Sequence, residues 1–374
     1  MRVIDHGIAV QAKEGTDRAS CAFSSIAVLP GGRWLCGFRA APLKGEMEGQ
    51  HAMITWSDDE GKTWREPFSP WIPRDIDGKP GLFRAAMLTA LGGSRVLSTL
   101  YWVDNSDPSL PFFNEETEGL LDSRLFFSFS EDNGESWSEP RLLDTTPYNV
   151  PTPTTGPTLV LANGEWALQF ETNKHYYDTT PWQHASVLMF TRDEGRTFPD
   201  SAVTASDPDR RYFWWDQRPS VLADGSLLDL FWTYDNVDAV YVNIQARASR
   251  DNGRTWSELW DTGVPGQPAM PVSLPDGSIA MVYMDRTGAP TVKLRVSTDG
   301  GRNWPDDTES TLFQPPTPTQ TVAKGSMQDA WSEMGKFSTG LPSATLLPNG
   351  DLLVVFYSGP HKDLTDIRWV RVGD

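Results

Sequence analysis

The feature that most constrains this chain is one short pattern, Ser/Thr-x-Asp-x-Gly-x-Thr-Trp, which recurs five times. Its first copy reads Ser57-Asp58-Asp59-Glu60-Gly61-Lys62-Thr63-Trp64. The others are Ser130–Trp137, Thr191–Phe198, Ser249–Trp256 and Ser297–Trp304. Each copy follows an alternating apolar segment, such as His51-Ala52-Met53-Ile54-Thr55-Trp56, and precedes another extended stretch. The pattern reads as a hairpin turn: Asp accepts from amides of its own turn, Gly supplies positive φ, and the terminal aromatic packs inward. One Asp suffices for the turn, and no further acids recur at fixed offsets, so calcium is not expected there.

A second pattern interleaves with the first: an apolar strand, a Gly-containing turn, another apolar strand. Its six turns are Pro30-Gly31-Gly32, Gly92-Gly93-Ser94, Ala162-Asn163-Gly164, Ala223-Asp224-Gly225, Pro275-Asp276-Gly277 and Pro348-Asn349-Gly350. Asn-Gly and Asp-Gly between alternating apolar residues are strong hairpin signals. Together the two repeats predict six units of hairpin, loop, strand, Asp turn, strand. The sixth unit lacks a fourth strand, and Val3–Val10 is a strand without a unit. Pairing Val3–Val10 beside Asp366–Val372 closes a ring. The expectation is an all-β chain, a six-bladed β-propeller of four-stranded antiparallel blades, with residues 1–374 as one domain.

Composition agrees and narrows the partners. The 374 residues include 16 Trp, 17 Phe, 31 Gly and 29 Pro, the mix of many short strands and tight turns. A net charge of −18 argues against nucleic acid and against an anionic membrane surface. No stretch of about 18 apolar residues occurs, so no membrane span is expected. No apolar leader is visible, and Cys21 and Cys36 fall out of register on neighbouring strands, so free thiols and a cytoplasmic location are expected. With no His-x-x-x-His pair or cysteine cluster, neither metal nor other cofactor is expected.

Five Asp boxes with six such hairpins resemble the sialidase superfamily of Asp-box propellers, over nearly the whole chain. The resemblance implies that the boxes are structural and lie opposite a central active site. That site would hold three arginines, an Asp acid/base and a Tyr nucleophile assisted by Glu. Aligned through the Gly turns, Ala22-Phe23-Ser24-Ser25 stands where the first arginine would be, and Asp216 stands at the Glu position. The second arginine position falls near Phe231-Trp232, and the Tyr position falls at Leu341 with no Tyr close by. Arg286 sits at the remaining arginine position, and Glu46 or Glu48 would be the acid/base.

The loops of the same face carry further candidates. Arg39, Arg84, Arg218 and Arg286 suit an anionic sugar, since guanidinium offers two parallel donors to a carboxylate or sulfate. Carboxyls there are Glu46, Glu48, Asp104, Asp216, Asp235 and Asp285, and glycoside hydrolysis needs two facing each other. Asp216 is the first catalytic candidate, with Glu48 or Glu46 as its partner and His51 or His175 as a possible base. Tyr212-Phe213-Trp214-Trp215-Asp216-Gln217-Arg218 sets Trp215 beside that carboxyl as a stacking surface for sugar. The loops Asp104–Leu121 and Gln314–Thr339 would wall the pocket, the second with Lys324, Trp331, Glu333 and Lys336. The reading favoured is an exo-acting glycoside hydrolase on a polar or acidic glycan terminus, with carbohydrate as the partner. A sialidase acting on a 2-keto sugar acid, a polysaccharide lyase using His and Tyr, and a non-catalytic glycan-binding propeller are the alternatives.

Overall fold

The computed structural model describes residues 1–316 and 325–373; Lys324 lies outside them. The Asp boxes form as their chemistry requires. In the first, the Asp59 carboxylate accepts from the Thr63 amide at 2.8 Å and from the Thr63 hydroxyl at 2.7 Å. Ser57 Oγ accepts from the Gly61 amide at 2.8 Å, and Trp64 Nε1 donates to the Gly61 carbonyl at 3.1 Å. Two successive left-handed residues make the turn, Glu60 at φ 60° and Gly61 at φ 85°. A Cβ at Gly61 would sit 2.6 Å from Trp369 and 2.8 Å from Trp34, so glycine is needed for space as well as for φ.

Hydrogen bonding joins the strands into five sheets of a propeller. Four stand alone: Gly81–Gly92 through Arg141–Leu142, Leu159–Val160 through Asp200–Ser206, one around Leu227–Asp235 and one around Ile279–Asp285. The fifth has seven strands and carries both chain ends. The N-terminal strand Arg2–Val10 runs antiparallel to Leu364–Gly373, with Val3 opposite Val372. The six separate blades expected from the repeats are therefore not what the hydrogen bonding shows. A single parallel bridge, Ser20 to Thr365, merges the first strands of the chain with the last into one sheet.

The core lies between neighbouring sheets. Trp34–Ala41 is buried at every position, as a strand covered on both faces must be. Leu97, Phe127, Leu168 and Val187 pack the interface of the second and third units. Cys21 and Cys36 are free and buried, opposite Ala40 and Ile26 respectively. Among the described residues, no helix is long and apolar enough to cross a membrane.

Two expected results follow from the Asp boxes. Asp251 accepts from the Thr255 amide at 2.9 Å and from Ser249 Oγ at 2.8 Å. Asp251→Ala should lower unfolding free energy in urea by about 0.5–1.5 kcal/mol, the net scale for losing such hydrogen bonds at an exposed turn. A loss below about 0.5 kcal/mol would show that the box is ornamental. The second result concerns acid. The Thr63 amide, then the Thr63 and Ser57 hydroxyls, hold the Asp59 carboxyl down at about 2, and the Thr197 amide and hydroxyl do the same for Asp193. A carboxyl with a depressed folded pKa stabilises the fold above its unfolded value near 4 and loses that contribution as pH falls toward 2. Urea midpoints measured at pH 6, 4 and 2.5 should fall mainly across the last interval.

Candidate active site

At one end of the ring the first strands of several units break register. Between Phe83↔Trp102 and Ala85↔Tyr101 one extra residue, Arg84, is inserted. Ala22↔Arg39 and Ser25↔Gly37 slip by one around Phe23, and Gly340↔Tyr357 and Ser343↔Val355 slip around Leu341. Trp215↔Trp232 and Ser220↔Leu228 slip around Asp216. Such bulges re-aim side chains at the cost of ladder bonds. Phe23, Asp216 and Leu341 take left-handed φ of 52°, 50° and 48° there, a strain that non-glycine residues hold only where the surroundings fix it.

The bulges face one cavity of about 520 Å³, large enough for a sugar and part of its aglycone. Its wall carries six cationic side chains, Arg39, Lys44, Arg84, Arg218, Lys336 and Lys362, against three carboxyls, Glu115, Glu171 and Asp216. In a chain of net charge −18 this is a local reversal of sign. Trp215, Trp232, Trp331, Phe112, Phe113 and Phe337 supply the apolar wall. Trp331, on the helix Met327–Met334, stacks on Phe113 with centroids 4.2 Å apart, so both expected wall loops meet over the cavity. Lys44 Nζ ties that helix down, donating to the carbonyls of Met334 at 3.0 Å and of Phe337.

Asp216 sits among donors. Gln267 Nε2 donates to its carboxylate at 2.5 Å, and Arg218 Nη2 lies 3.6 Å away. Its own backbone amide donates to Glu171 Oε1. Glu171 is 7% exposed and its other oxygen lies 3.4 Å from Nε2 of buried His184. Asp216 and Glu171 are thus two cavity residues joined through the Asp216 backbone amide, and both carry carboxyls that line the wall. The Tyr357 hydroxyl sits 3.1 Å from where a Cβ on Gly340 would be, with Arg286 Nη2 2.5 Å from the same point. Burial raises the Tyr357 pKa; Arg286 opposes this, and Asp216 adds to it.

Of the residues singled out in the sequence, Asp216, Trp215, Arg39, Arg84 and Arg218 line the cavity. Arg286 stands behind it, over the Phe337 ring at 3.5 Å and donating to the Thr339 carbonyl. The others are not brought there. Glu46 and Glu48 are exposed on the loop that follows Trp34–Ala41. His51 is exposed, 3.9 Å from Asp17, and His175 is exposed on the rim. Asp104 pairs with Lys79 at 3.2 Å and accepts from Ser106. Asp235 pairs with Arg211 and Asp285 with Lys293. The loop after Ala41 turns so that Met47, not its acids, is buried, and Gln50 is bonded inward to Arg39.

Three site residues escaped the sequence reading. Lys44 was one more loop cation. Glu171 follows the buried stretch Ala167–Phe170, and an acid at the end of a buried strand was the available signal. Tyr357 lies on the second strand of its hairpin, opposite Gly340, where the expectation that no Tyr stands near Leu341 fails because the neighbouring strand supplies one. Among the described residues, no three His, Cys, Asp or Glu side chains are grouped to hold a metal ion.

The model of the BNR repeat-like domain matches residues 105–315, more than half of the chain. The chain belongs to the BNR repeat-like family. No curated protein matches this BNR repeat-like chain significantly. Among solved structures it is similar to a protein of unknown function from Dyadobacter fermentans, with TM-score 0.73, 18% identity and coverage of 99% and 98% of the two chains. It is also similar to the intramolecular trans-sialidase from Ruminococcus gnavus, with TM-score 0.65, 15% identity and coverage of 100% and 98%. The NanB sialidase from Streptococcus pneumoniae follows at TM-score 0.62 and 15% identity, over 98% of this chain and 70% of that one. At these identities the likeness is one of fold, the sialidase-like propeller.

Proposed function

We propose that the cavity is the active site of an exo-acting glycoside hydrolase for polar or acidic glycan termini. The observation that carries this reading is that Asp216 and Glu171, joined through the Asp216 backbone amide, both line a cation-rich, tryptophan-walled cavity. Glycoside hydrolysis needs one carboxyl that gives a proton to the leaving oxygen and one carboxylate on the other side of the reaction. Asp216, facing Gln267 and Arg218, takes a proton from the attacking water. Glu171, enclosed beside His184, gives its proton to the glycosidic oxygen as the bond to the anomeric carbon breaks. The proton gained by Asp216 returns to Glu171 through solvent, so water adds across the bond and the enzyme is restored. Asp216 and Glu171 take the place that Glu46, Glu48 and His51 held in the sequence reading. Trp215 stacks on the sugar, and Arg218 receives its charge.

The substrate class to try first is a sugar acid, since two of the structures similar in fold are named as a trans-sialidase and a sialidase. A panel of aryl glycosides of neutral and acidic sugars tests the reading; no turnover on any acidic glycoside would sink it. Tyr357 beside Arg286 favours a second reading, in which the tyrosine attacks the anomeric carbon in sialidase fashion. Tyr357→Phe separates the two: less than about 10-fold loss of kcat fits the carboxyl pair, more than about 100-fold fits the tyrosine. The six-blade count belongs to the same proposal. It takes the seven-stranded sheet as two blades laced by the Ser20–Thr365 bridge.

A further inference from the structure

Three cations of the cavity wall form no ion pair among the described residues. Arg39 is 0% exposed; its Nε donates to Gln50 Oε1 at 2.7 Å and its Nη2 to the carbonyls of Leu43 and Lys44 at 3.3 and 2.7 Å. Arg84 Nη1 donates to the same Gln50 oxygen at 3.0 Å. Lys44 Nζ donates only to the two carbonyls already named. All of these acceptors are neutral, and among the described residues none of the three cations forms an ion pair. Asp363 accepts from the Lys44 backbone amide, and its charge is paired with Lys362 at 3.7 Å. Arg39 Nη1 is buried with no hydrogen-bond partner.

The three groups also repel one another. Burial first, and then Arg84, lowers the pKa of Arg39; burial, and then Arg286 and Arg39, lowers that of Lys44. Arg84 is pushed down to about 10 by burial. Arg39 is fully buried and Lys44 and Arg84 half-buried, and charges so enclosed are ordinarily paired, because desolvation is recovered only through a partner of opposite sign. Neutral oxygens here fix the direction of each cation without cancelling its charge. That is the arrangement of a receptor whose ligand brings the negative charge, with the receptor organised beforehand.

We propose that Arg39, Lys44 and Arg84 form a subsite for a tetrahedral ester oxyanion, a phosphate or sulfate monoester borne by the substrate. A single carboxylate offers two oxygens in one plane and one charge to three cations that reach the wall from a strand, a loop and a second strand. A phosphate monoester offers three terminal oxygens and up to two charges near neutral pH. The subsite depends on the glycosidase reading only for the sugar that carries the ester.

Binding of the bare ions tests it apart from catalysis. Melting temperature is followed with inorganic phosphate, inorganic sulfate and acetate, each at about 10 mM and matched ionic strength. Phosphate should raise it by roughly 3 °C or more and acetate by less than roughly 1 °C, since an anion bound only by the folded state stabilises by mass action. Lys44→Met and Arg84→Gln, each against its own ion-free melt, should both lose the phosphate shift. A larger shift with sulfate than with phosphate identifies the ester as sulfate and supports the subsite equally. Equal shifts from acetate and phosphate, no shift from phosphate or sulfate, or a shift retained in both variants would overturn it. Ion binding without turnover of any glycoside removes the glycosidase reading alone, and turnover without ion binding removes the subsite alone.

Discussion

Asp216→Asn should lower kcat on an acidic aryl glycoside by about a thousandfold or more, equivalent to about 4 kcal/mol of barrier. The substitution keeps the shape of the side chain and its contact with Gln267, but removes the charge that faces Arg218. The left-handed backbone at 216 tolerates Asn as well as Asp, so the fold is not the variable being tested. KM should change little, because the aromatic wall and the cations that hold the sugar are untouched. Retention of more than about a tenth of the wild-type rate would mean a loss under about 1.4 kcal/mol and would exclude Asp216 as a catalyst. Glu171→Gln should give a loss of comparable size, and the double variant little more than either alone, since the two act in one step.

Trp369→Ala should cost about 3–5 kcal/mol of unfolding free energy in urea. This ring is 3% exposed and touches the two ends of the chain at once. It stands edge-on to Trp34, with centroids 5.3 Å apart, and lies where a Cβ on Gly7 or Gly61 would be. It therefore binds the N-terminal strand Arg2–Val10 and the first Asp box to the C-terminal strand. Hydrogen exchange should show the N-terminal strand opening before the rest, because its ladder to Leu364–Gly373 loses the packing behind it. A uniform loss of protection across all five sheets would show that the ring does not close there.

The propeller was legible because its determinants are local. Asp59, Gly61 and Trp64 satisfy one another within one turn, so the spacing alone encodes the geometry. The pairing of the strand Val3–Val10 beside Asp366–Val372 followed from counting strands that lacked neighbours. The sheet count did not follow, since one backbone bridge between Ser20 and Thr365 leaves no mark on either residue type. The site was half legible. Arg39, Arg84, Trp215, Asp216 and Arg218 were found because each adjoins a strand whose place in the ring was known. Glu46, Glu48 and His51 were chosen by nearness in sequence, but direction decides, and Met47 and Gln50 are the residues that their loop turns inward. Tyr357 is supplied by the neighbouring strand at a register slip, and Glu171 reaches Asp216 from another sheet, neither of which periodicity records.

The most direct test of the carboxyl pair is a crystal structure of the Glu171→Gln variant with an uncleaved acidic aryl glycoside. The expected result places the glycosidic oxygen within hydrogen-bonding distance of residue 171, with a water or the anomeric carbon facing Asp216 and the sugar against Trp215. A glycoside seated against Glu46, Glu48 or His51 instead, with Asp216 remote from the anomeric carbon, would contradict it.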